Sequence, residues 1–441
     1  MELLNFFHNK PQQILFVFLL AFGLVSIVGR LWRKQNQRFN IICLGAALLV
    51  AFVSVYSPWR MNAFSGLLLA AALLITGMAF FMPAFTQVFT FEYTVLMGLS
   101  ILGGLFAINA SNVLGLFLGI ELQVLPFYLL MVVQKKLGES FEGVLKYFVL
   151  GGISTALFLF GFSLVYADIG SMNFGWLDLN WAADTAAVSI AHSPLRTVGT
   201  MMLLSSLCFK ASLVPFHMWT PDVYEDTPPH VLVLLATCSK VVAVCAFVMV
   251  FGHWGTRLLN WVVPILPWIA IASMLGGALG ALCQTNLRRL MAYSTISHMG
   301  YVWAVFAGGK PFLPVITEYL QYYVLTTVVL FGCLIHMNKD GLHPNPELKD
   351  LSSLKEGGGV MPTVMAGCLF SLAGVPPFPL FWGKLVLVKE LFYTHAWTLI
   401  GGIVLSSAIG IYYYLNIVRN LFFQSAPASD TVPVNENGTH A

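Results

Sequence analysis

The sequence predicts an all-α, polytopic membrane protein of about thirteen transmembrane helices, and three observations carry that prediction. Of its 441 residues, 58% are apolar and only 9% are charged, where soluble domains carry roughly a quarter. The mean hydropathy is +0.81. Apolar stretches of about twenty residues, long enough to cross a bilayer as a helix, recur along the chain. A membrane β-barrel would show short alternating segments instead. The same figures exclude a soluble enzyme, a disordered scaffold and a nucleic-acid binder, all of which need surface charge. A formal net charge of +3 points to no anionic partner; the expected surroundings are a lipid bilayer.

Taken in order, the spans fall at 12–30, 39–57, 62–82, 90–108, 111–133, 143–166, 195–221, 228–252, 259–282, 289–308, 314–337, 360–391 and 396–423. The longest connections are 167–194 and 338–359. The first apolar run precedes Arg30, Arg33, Lys34 and Arg38, the reverse of a cleaved secretory signal, whose positive charges come first. It reads as a first span with the N-terminus outside. Loop cations agree, because Lys and Arg concentrate on the inner side of a membrane. The inside loops then hold those four residues with Lys135, Lys136, Arg288, Arg289, Lys339, Lys349, Lys355 and Arg419. The outside segments hold Lys10, Arg60, Arg196, Arg257 and Lys310. The tail 424–441 is polar and reads as disordered. The scattered cysteines 43, 208, 238, 245, 283, 333 and 368 form no CxxC pair and no metal-ligand spacing, so they read as buried thiols acting as small apolar residues.

The cations left over are Lys146, Lys210, Lys240, Lys384 and Lys389, and with Glu121 they fall inside spans. An ionised group at mid-bilayer costs about 3 kcal/mol or more, so such residues face the bundle interior and mark ion or proton paths. Glu121, Lys210 and Lys240 each sit near the centre of a separate span, at one depth. Lys146 and Lys389 lie closer to span ends, where a lysine can snorkel. No arginine lies deep. That matters because Arg stays protonated almost everywhere, whereas a buried Lys can release its proton. A Glu121–Lys210 pair would hold the lysine charged, and weakening it would eject the proton. The alternative is a buried pair that only fixes helix packing. Two histidines, His217 and His298, join Lys146 as auxiliary relay candidates, since imidazole titrates near neutrality.

Two spans contain prolines that break them: Phe209-Lys210-Ala211-Ser212-Leu213-Val214-Pro215-Phe216-His217, and Ser371 through Pro379 followed by Gly383-Lys384. Proline removes a backbone hydrogen bond, and freed backbone groups persist in a membrane only where they are buried or line a wet cavity. Interrupted helices at corresponding places in two halves are the mark of an inverted-repeat transporter. Each break has a lysine close by.

Several ordered motifs carry a family resemblance: Glu121-Leu122-Gln123, Leu145-Lys146-Tyr147 through Gly151, Phe209-Lys210 through His217, Trp219-Thr220-Pro221-Asp222-Val223-Tyr224, Ser239-Lys240, and Met291-Ala292-Tyr293-Ser294 through Gly300-Tyr301. From about residue 90 to 423 the chain resembles the subunit N family of bacterial NADH:quinone oxidoreductase, respiratory complex I. The resemblance implies an antiporter-like, proton-conducting membrane subunit with two inverted five-helix repeats, 90–252 and 259–423, after an N-terminal three-helix segment, 1–89. It places the proton path on Glu121 and Lys210 in the first repeat, Lys240 as the connecting group and Lys384 in the second. The sibling subunit M carries Glu at that last position. The resemblance also implies other membrane and peripheral subunits as partners, which hold NADH, FMN, iron–sulfur clusters and quinone, and a bacterial inner-membrane location. No cofactor is expected in this chain. The segment Glu225-Asp226-Thr227-Pro228-Pro229-His230 departs from the family's Ala-Pro-Thr-Pro, and thirteen spans stand where the family has fourteen. A multisubunit cation/proton antiporter subunit and a purely structural membrane subunit are the rival readings.

Overall fold

The computed structural model describes residues 63–82, 90–133, 141–174, 193–251, 264–308, 313–337, 347–352 and 360–423, with isolated positions between 38 and 49 and at 86. The expected spans 12–30 and most of 39–57, the tail 424–441, and many loop cations lie outside the described residues. Among those described, the chain is helical, with two isolated β-bridges, Asn112 with Asn173 and Asn286 with Glu347, and no strand.

Among the described residues, fourteen α-helices follow in order: α1 (Ala63–Phe81), α2 (Phe91–Ile108), α3 (Val113–Val133), α4 (Glu142–Ile169), α5 (Pro194–Ala211), α6 (Trp219–Asp226), α7 (Pro229–Ala236), α8 (Cys238–Phe251), α9 (Leu266–Leu282), α10 (Leu287–Ala307), α11 (Leu313–Met337), α12 (Met361–Ala373), α13 (Pro379–Tyr393) and α14 (Trp397–Phe423). Local chemistry sets several ends. Thr90 caps α2 by accepting from Tyr93 N, and Asn286 caps α10 by accepting from Arg288 N and Arg289 N, as Thr and Asn do at N-termini. Seven of these stretches are long and apolar enough to cross a membrane: α1, α2, α3, α4, α7 with α8, α11 and α14. Breaks shorten α5, α12 and α13, and α10 is diluted by Ser294, Thr295, Ser297 and His298.

The centre of the bundle is the stretch 229–251. It is apolar on every side, Val-Leu-Val-Leu-Leu-Ala before Thr237 and Val-Val-Ala-Val after Lys240, and such a helix belongs in an interior. It packs against α1, α2, α3, α5 and α11 and is buried almost throughout. It is one span where the sequence reading expects one, but it is interrupted: α7 ends at Ala236, and Thr237 stands between the two parts with its hydroxyl donating to Val233 O at 2.6 Å. No proline marks this interruption, so hydropathy and proline positions did not reveal it.

Helices α2 and α3 pack at backbone contact. A Cβ on Gly103 would sit 2.3 Å from Gln123 N, and one on Gly119 would sit 2.4 Å from Ala107 N. Small residues at such crossings let membrane helices approach closely. This crossing places α3, and Glu121 with it, against the core. We expect Gly119→Val to destabilise the bundle by about 1–3 kcal/mol through overpacking. Gly152→Ala, where an added Cβ meets nothing within 4 Å, is the matched control. Thermal unfolding in detergent checks this: the midpoint falls for the first variant and not for the second.

Candidate functional site

Glu121 lies halfway along α3, where that helix faces α4 and α5. Its Oε1 accepts a hydrogen bond from Thr155 Oγ1 of α4 at 2.8 Å and lies 3.5 Å from Lys210 Nζ of α5. The side chains are 23% and 11% exposed, so both charges have left bulk solvent and each depends on the other. A small cavity lies beside the pair, lined by Phe117, Glu121, Thr155, Phe158, Ser206 and Lys210.

Lys210 is not at mid-helix, as a continuous span would have it. It occupies the last turn of α5, which stops at Ala211. Ser212 takes a left-handed conformation (φ 62°), Val214-Pro215 is cis, and the chain resumes as α6 at Trp219. The broken end is rebuilt from nearby groups. Leu213 N donates to Cys208 O, Trp219 Nε1 donates to Phe209 O at 3.1 Å, and Val214 N donates to Ser273 Oγ of α9 at 2.9 Å. His217 sits half-buried in this break. Lys240 of α8 is wholly buried. Its ammonium donates to Ser212 Oγ at 2.5 Å and lies 5.1 Å from the centre of the Trp219 ring, a cation–π arrangement. The break thus brings Lys210 and Lys240 to one place, with Ser212 two residues from the first and bonded to the second.

The second break repeats the plan. Helix α12 stops at Ala373, Gly374 is left-handed (φ 82°), Pro376-Pro377 is cis, and α13 begins at Pro379. Lys384 of α13 returns to the broken end, and its Nζ donates to Leu372 O and Ala373 O, each at 3.1 Å. A cation at a helix C-terminus gains from the helix dipole as well as from unused carbonyls. A Cβ on Gly374 would stand 3.0 Å from that Nζ, so glycine serves here both for its φ and for room. The Lys384 ammonium also lies 5.2 Å from the centre of the Tyr301 ring. On the same helix as Tyr301, His298 is buried between two phenols, Tyr319 Oη at 2.6 Å from Nδ1 and Tyr414 Oη at 3.3 Å from Nε2. Ser294 hydrogen-bonds the latter hydroxyl.

Lys146 stands elsewhere. Its ammonium pairs with Glu142 at 2.6 Å and Asp222 at 2.7 Å near the start of α4, with the side chain 41% exposed. Asp222 also pairs with Arg289 at 2.9 Å, and Arg289 with Glu225 at 2.8 Å. Asp226 Oδ2 accepts from Gly143 N at 2.6 Å. The acids of the segment that departs from the family pattern therefore tie α6 to the ends of α4 and α10. Thr155, Ser212, Trp219, Tyr301, Tyr319 and Tyr414 were not singled out as contacts of the charged groups. Ser212, Trp219 and Tyr301 sit in quoted motifs. Thr155, Tyr319 and Tyr414 come from distant segments, and no local spacing links them to the charged groups. Among the described residues, no group of three or more His, Cys, Asp or Glu could hold a metal. The assembled groups suit proton exchange: a carboxylate, three amines and an imidazole, joined by hydroxyls and shielded by apolar helices.

The family described as NADH:quinone oxidoreductase/Mrp antiporter, transmembrane, matches residues 110–410. NADH-quinone oxidoreductase subunit N of Paramagnetospirillum magneticum is 34% identical over 441 residues, covering 96% of this chain and 90% of the relative. That of Rhodobacter capsulatus is 36% identical over 356 residues, covering 78% and 71%. Among solved structures, a chain of respiratory complex I from Thermus thermophilus superposes with a TM-score of 0.77 at 27% identity, covering 93% of this chain and 90% of that one. A chain of the Mrp complex from a Dietzia species gives 0.75 at 20% identity, covering 95% and 80%, a likeness of fold alone.

Replacing Ser212 with Gly keeps the left-handed backbone but removes the hydroxyl that Lys240 uses. We expect Ser212→Gly to cost about 1–3 kcal/mol, the price of leaving a buried donor unpaired. Adding Lys240→Met to that variant should recover most of the loss. Thermal unfolding of the two single variants and the double variant measures the coupling.

Proposed function

The chain belongs to the NADH:quinone oxidoreductase/Mrp antiporter membrane family, and from that we propose that it is the antiporter-like, proton-conducting membrane subunit of a proton-pumping NADH:quinone oxidoreductase. It works as a multi-pass protein of a bacterial inner membrane, beside the other membrane and peripheral subunits of the complex. It takes part in a translocase as one subunit. Electron transfer from NADH to quinone, through FMN and iron–sulfur clusters, belongs to its partners. Among the described residues, no group of three or more Cys, His, Asp or Glu is positioned to hold a metal. The N-terminus lies outside, and 90–252 and 259–423 act as the two inverted repeats after the segment 1–89.

The observation that supports this reading best is the Glu121–Lys210–Ser212–Lys240 series at the first break. Lys210 is charged while Glu121 and Thr155 face it. When a change elsewhere in the complex draws Glu121 away, the buried ammonium loses its counter-charge, and its proton moves to Lys240 through the Ser212 region. From Lys240 the proton crosses to the second half and leaves past His298 and Lys384. The ammonium of Lys384, held on the carbonyl end of α12, is the last station. His217 borders the first break and serves as an auxiliary group there. Lys146 acts at the rim, where its partners are Glu142 and Asp222. The family model spans both oxidoreductase and Mrp antiporter chains; the Mrp chain shares 20% identity, while a relative named as subunit N shares 34% over 96% of this chain, which favours the oxidoreductase reading.

Lys210→Ala and Glu121→Gln in the assembled complex should each lower NADH-driven proton pumping about tenfold or more, the scale of a lost proton-transfer group. Acidification by inverted membrane vesicles measures this. Full pumping by assembled Lys210→Ala complex would remove the role assigned to that residue.

A further inference from the structure

Helix α4 has no local side-chain cap. Phe141, the residue before it, offers no side-chain acceptor, yet the first-turn amides of a helix lack intrahelical partners. The acceptor comes from 83 residues away: Asp226 Oδ2, at the end of α6, takes the Gly143 amide at 2.6 Å. Its charge also suits the positive end of the α4 dipole. The approach is close, because a Cβ on Gly143 would sit 2.8 Å from both Asp222 O and Asp226 Cβ. Asp226 belongs to the segment that departs from the family pattern.

This bond completes a row of contacts that lays α6 antiparallel on the start of α4. Trp219 stacks on Tyr147 with ring centres 4.8 Å apart, Asp222 pairs with Lys146 at 2.7 Å, and Asp226 holds Gly143. Helix α6 has only eight residues and is about 12 Å long, so it moves as one strut. Helix α10 grips it too: Arg289 pairs with Asp222 and Glu225, and Arg288 Nη1 donates to Glu225 O at 3.2 Å and Thr227 O at 3.3 Å. Those arginines, and Lys146 with its 41% exposed side chain, reach out on long flexible chains that can follow a displaced partner. Asp226 is short and meets backbone, so its bond sets how closely α6 lies on α4. The two helices serve different charged groups. Helix α4 presents Thr155 to Glu121, and α6 presents the Trp219 ring to Lys240.

We propose that Asp226 is a positioning residue: it caps α4 in trans and, through the strut α6, holds the Trp219 ring against the Lys240 ammonium at a fixed spacing from the Glu121–Lys210 pair. This role rests on the proton path described above and adds a residue that touches none of its groups. Asp226 exchanges no proton. It acts through Trp219, whose face supports the buried cation without a counter-charge that would bind the proton permanently.

The test uses the whole complex in inverted membrane vesicles, with Asp226→Ala, Asp226→Asn, Trp219→Leu, the double variant Asp226→Ala with Trp219→Leu, and Lys240→Ala. The quantity read is the rate of NADH-driven acidification, normalised to assembled complex on a native gel. We expect Asp226→Ala to pump about fivefold more slowly, the change in docked population that a lost cap supports. Asp226→Asn should stay within about twofold of the parent, because Asn caps a helix as well as Asp does. The double variant should fall no more than about twofold below Trp219→Leu, since two changes on one route do not add. Normal pumping by Asp226→Ala with Lys240→Ala impaired overturns the role and leaves the path standing, whereas normal pumping by Lys240→Ala overturns the path itself. Asp226→Asn as slow as Asp226→Ala overturns capping, and full additivity in the double variant overturns action through Trp219. Failure of Asp226→Ala to assemble while Asp226→Asn assembles would assign the residue to assembly and also overturn the proposal. If Trp219→Leu does not assemble, the comparison of Asp226→Ala with Asp226→Asn decides.

Discussion

The architecture of this site depends on a lysine ammonium meeting the carbonyl end of a broken helix inside an apolar bundle. A cation in hydrocarbon surroundings needs acceptors and a favourable field, and an intact helix offers neither along its sides. A helix that stops short offers both: unused carbonyls and the negative end of its dipole. Lys384 takes two such carbonyls from α12 directly. Lys240 binds the α5 end through Ser212, and Lys210 is itself part of that end. Conversely, each break is tolerable because charged and hydroxyl groups are there to occupy it. Breaks and lysines therefore come together, and neither is sustainable in this core without the other.

What lies between the two breaks is polar but almost uncharged. Helix α10 carries Ser294, Thr295, Ser297, His298 and Tyr301, all buried, and phenols from α11 and α14 meet it there. Neutral donors and acceptors hold hydrogen-bonded chains without the desolvation cost of charge. The charged groups stand at the ends of this seam, where breaks can support them. At the rim, Asp222 and Glu225 hold Arg289 of α10, and Asp222 also holds Lys146 of α4. This fixes α6, and so keeps Trp219 stacked on Tyr147 with its ring against Lys240. A displacement at the rim is thereby linked by rigid helix to the environment of a buried amine.

Much of this was legible in the residues themselves. Scarcity of charge gave the membrane class, and it made Glu121, Lys210, Lys240 and Lys384 conspicuous, because an ionised side chain in a span is too costly to be accidental. Proline marked the breaks after Lys210 and before Lys384, since its missing N–H interrupts a helix wherever it falls. The interruption at Thr237 carried no such mark, and two consequences of the breaks were also hidden. Lys210 lies at a helix end instead of mid-span, and Ser212, unremarkable in the sequence, is the partner of Lys240.

The sequence by itself determined the solvent of the protein, the approximate positions of its helices and the identity of its buried charges, because these follow from hydropathy and backbone chemistry along a single segment. Only the tertiary structure decided which charges meet. It added Thr155 to the expected Glu121–Lys210 pair, joined Lys240 to Ser212, seated Lys384 on the end of α12 and set Lys146 in a rim cluster. Those contacts join side chains from separate helices, and their distances depend on how closely backbones approach at crossings such as Gly103 with Gln123. Packing of that kind is a property of helix pairs, and no single segment encodes it.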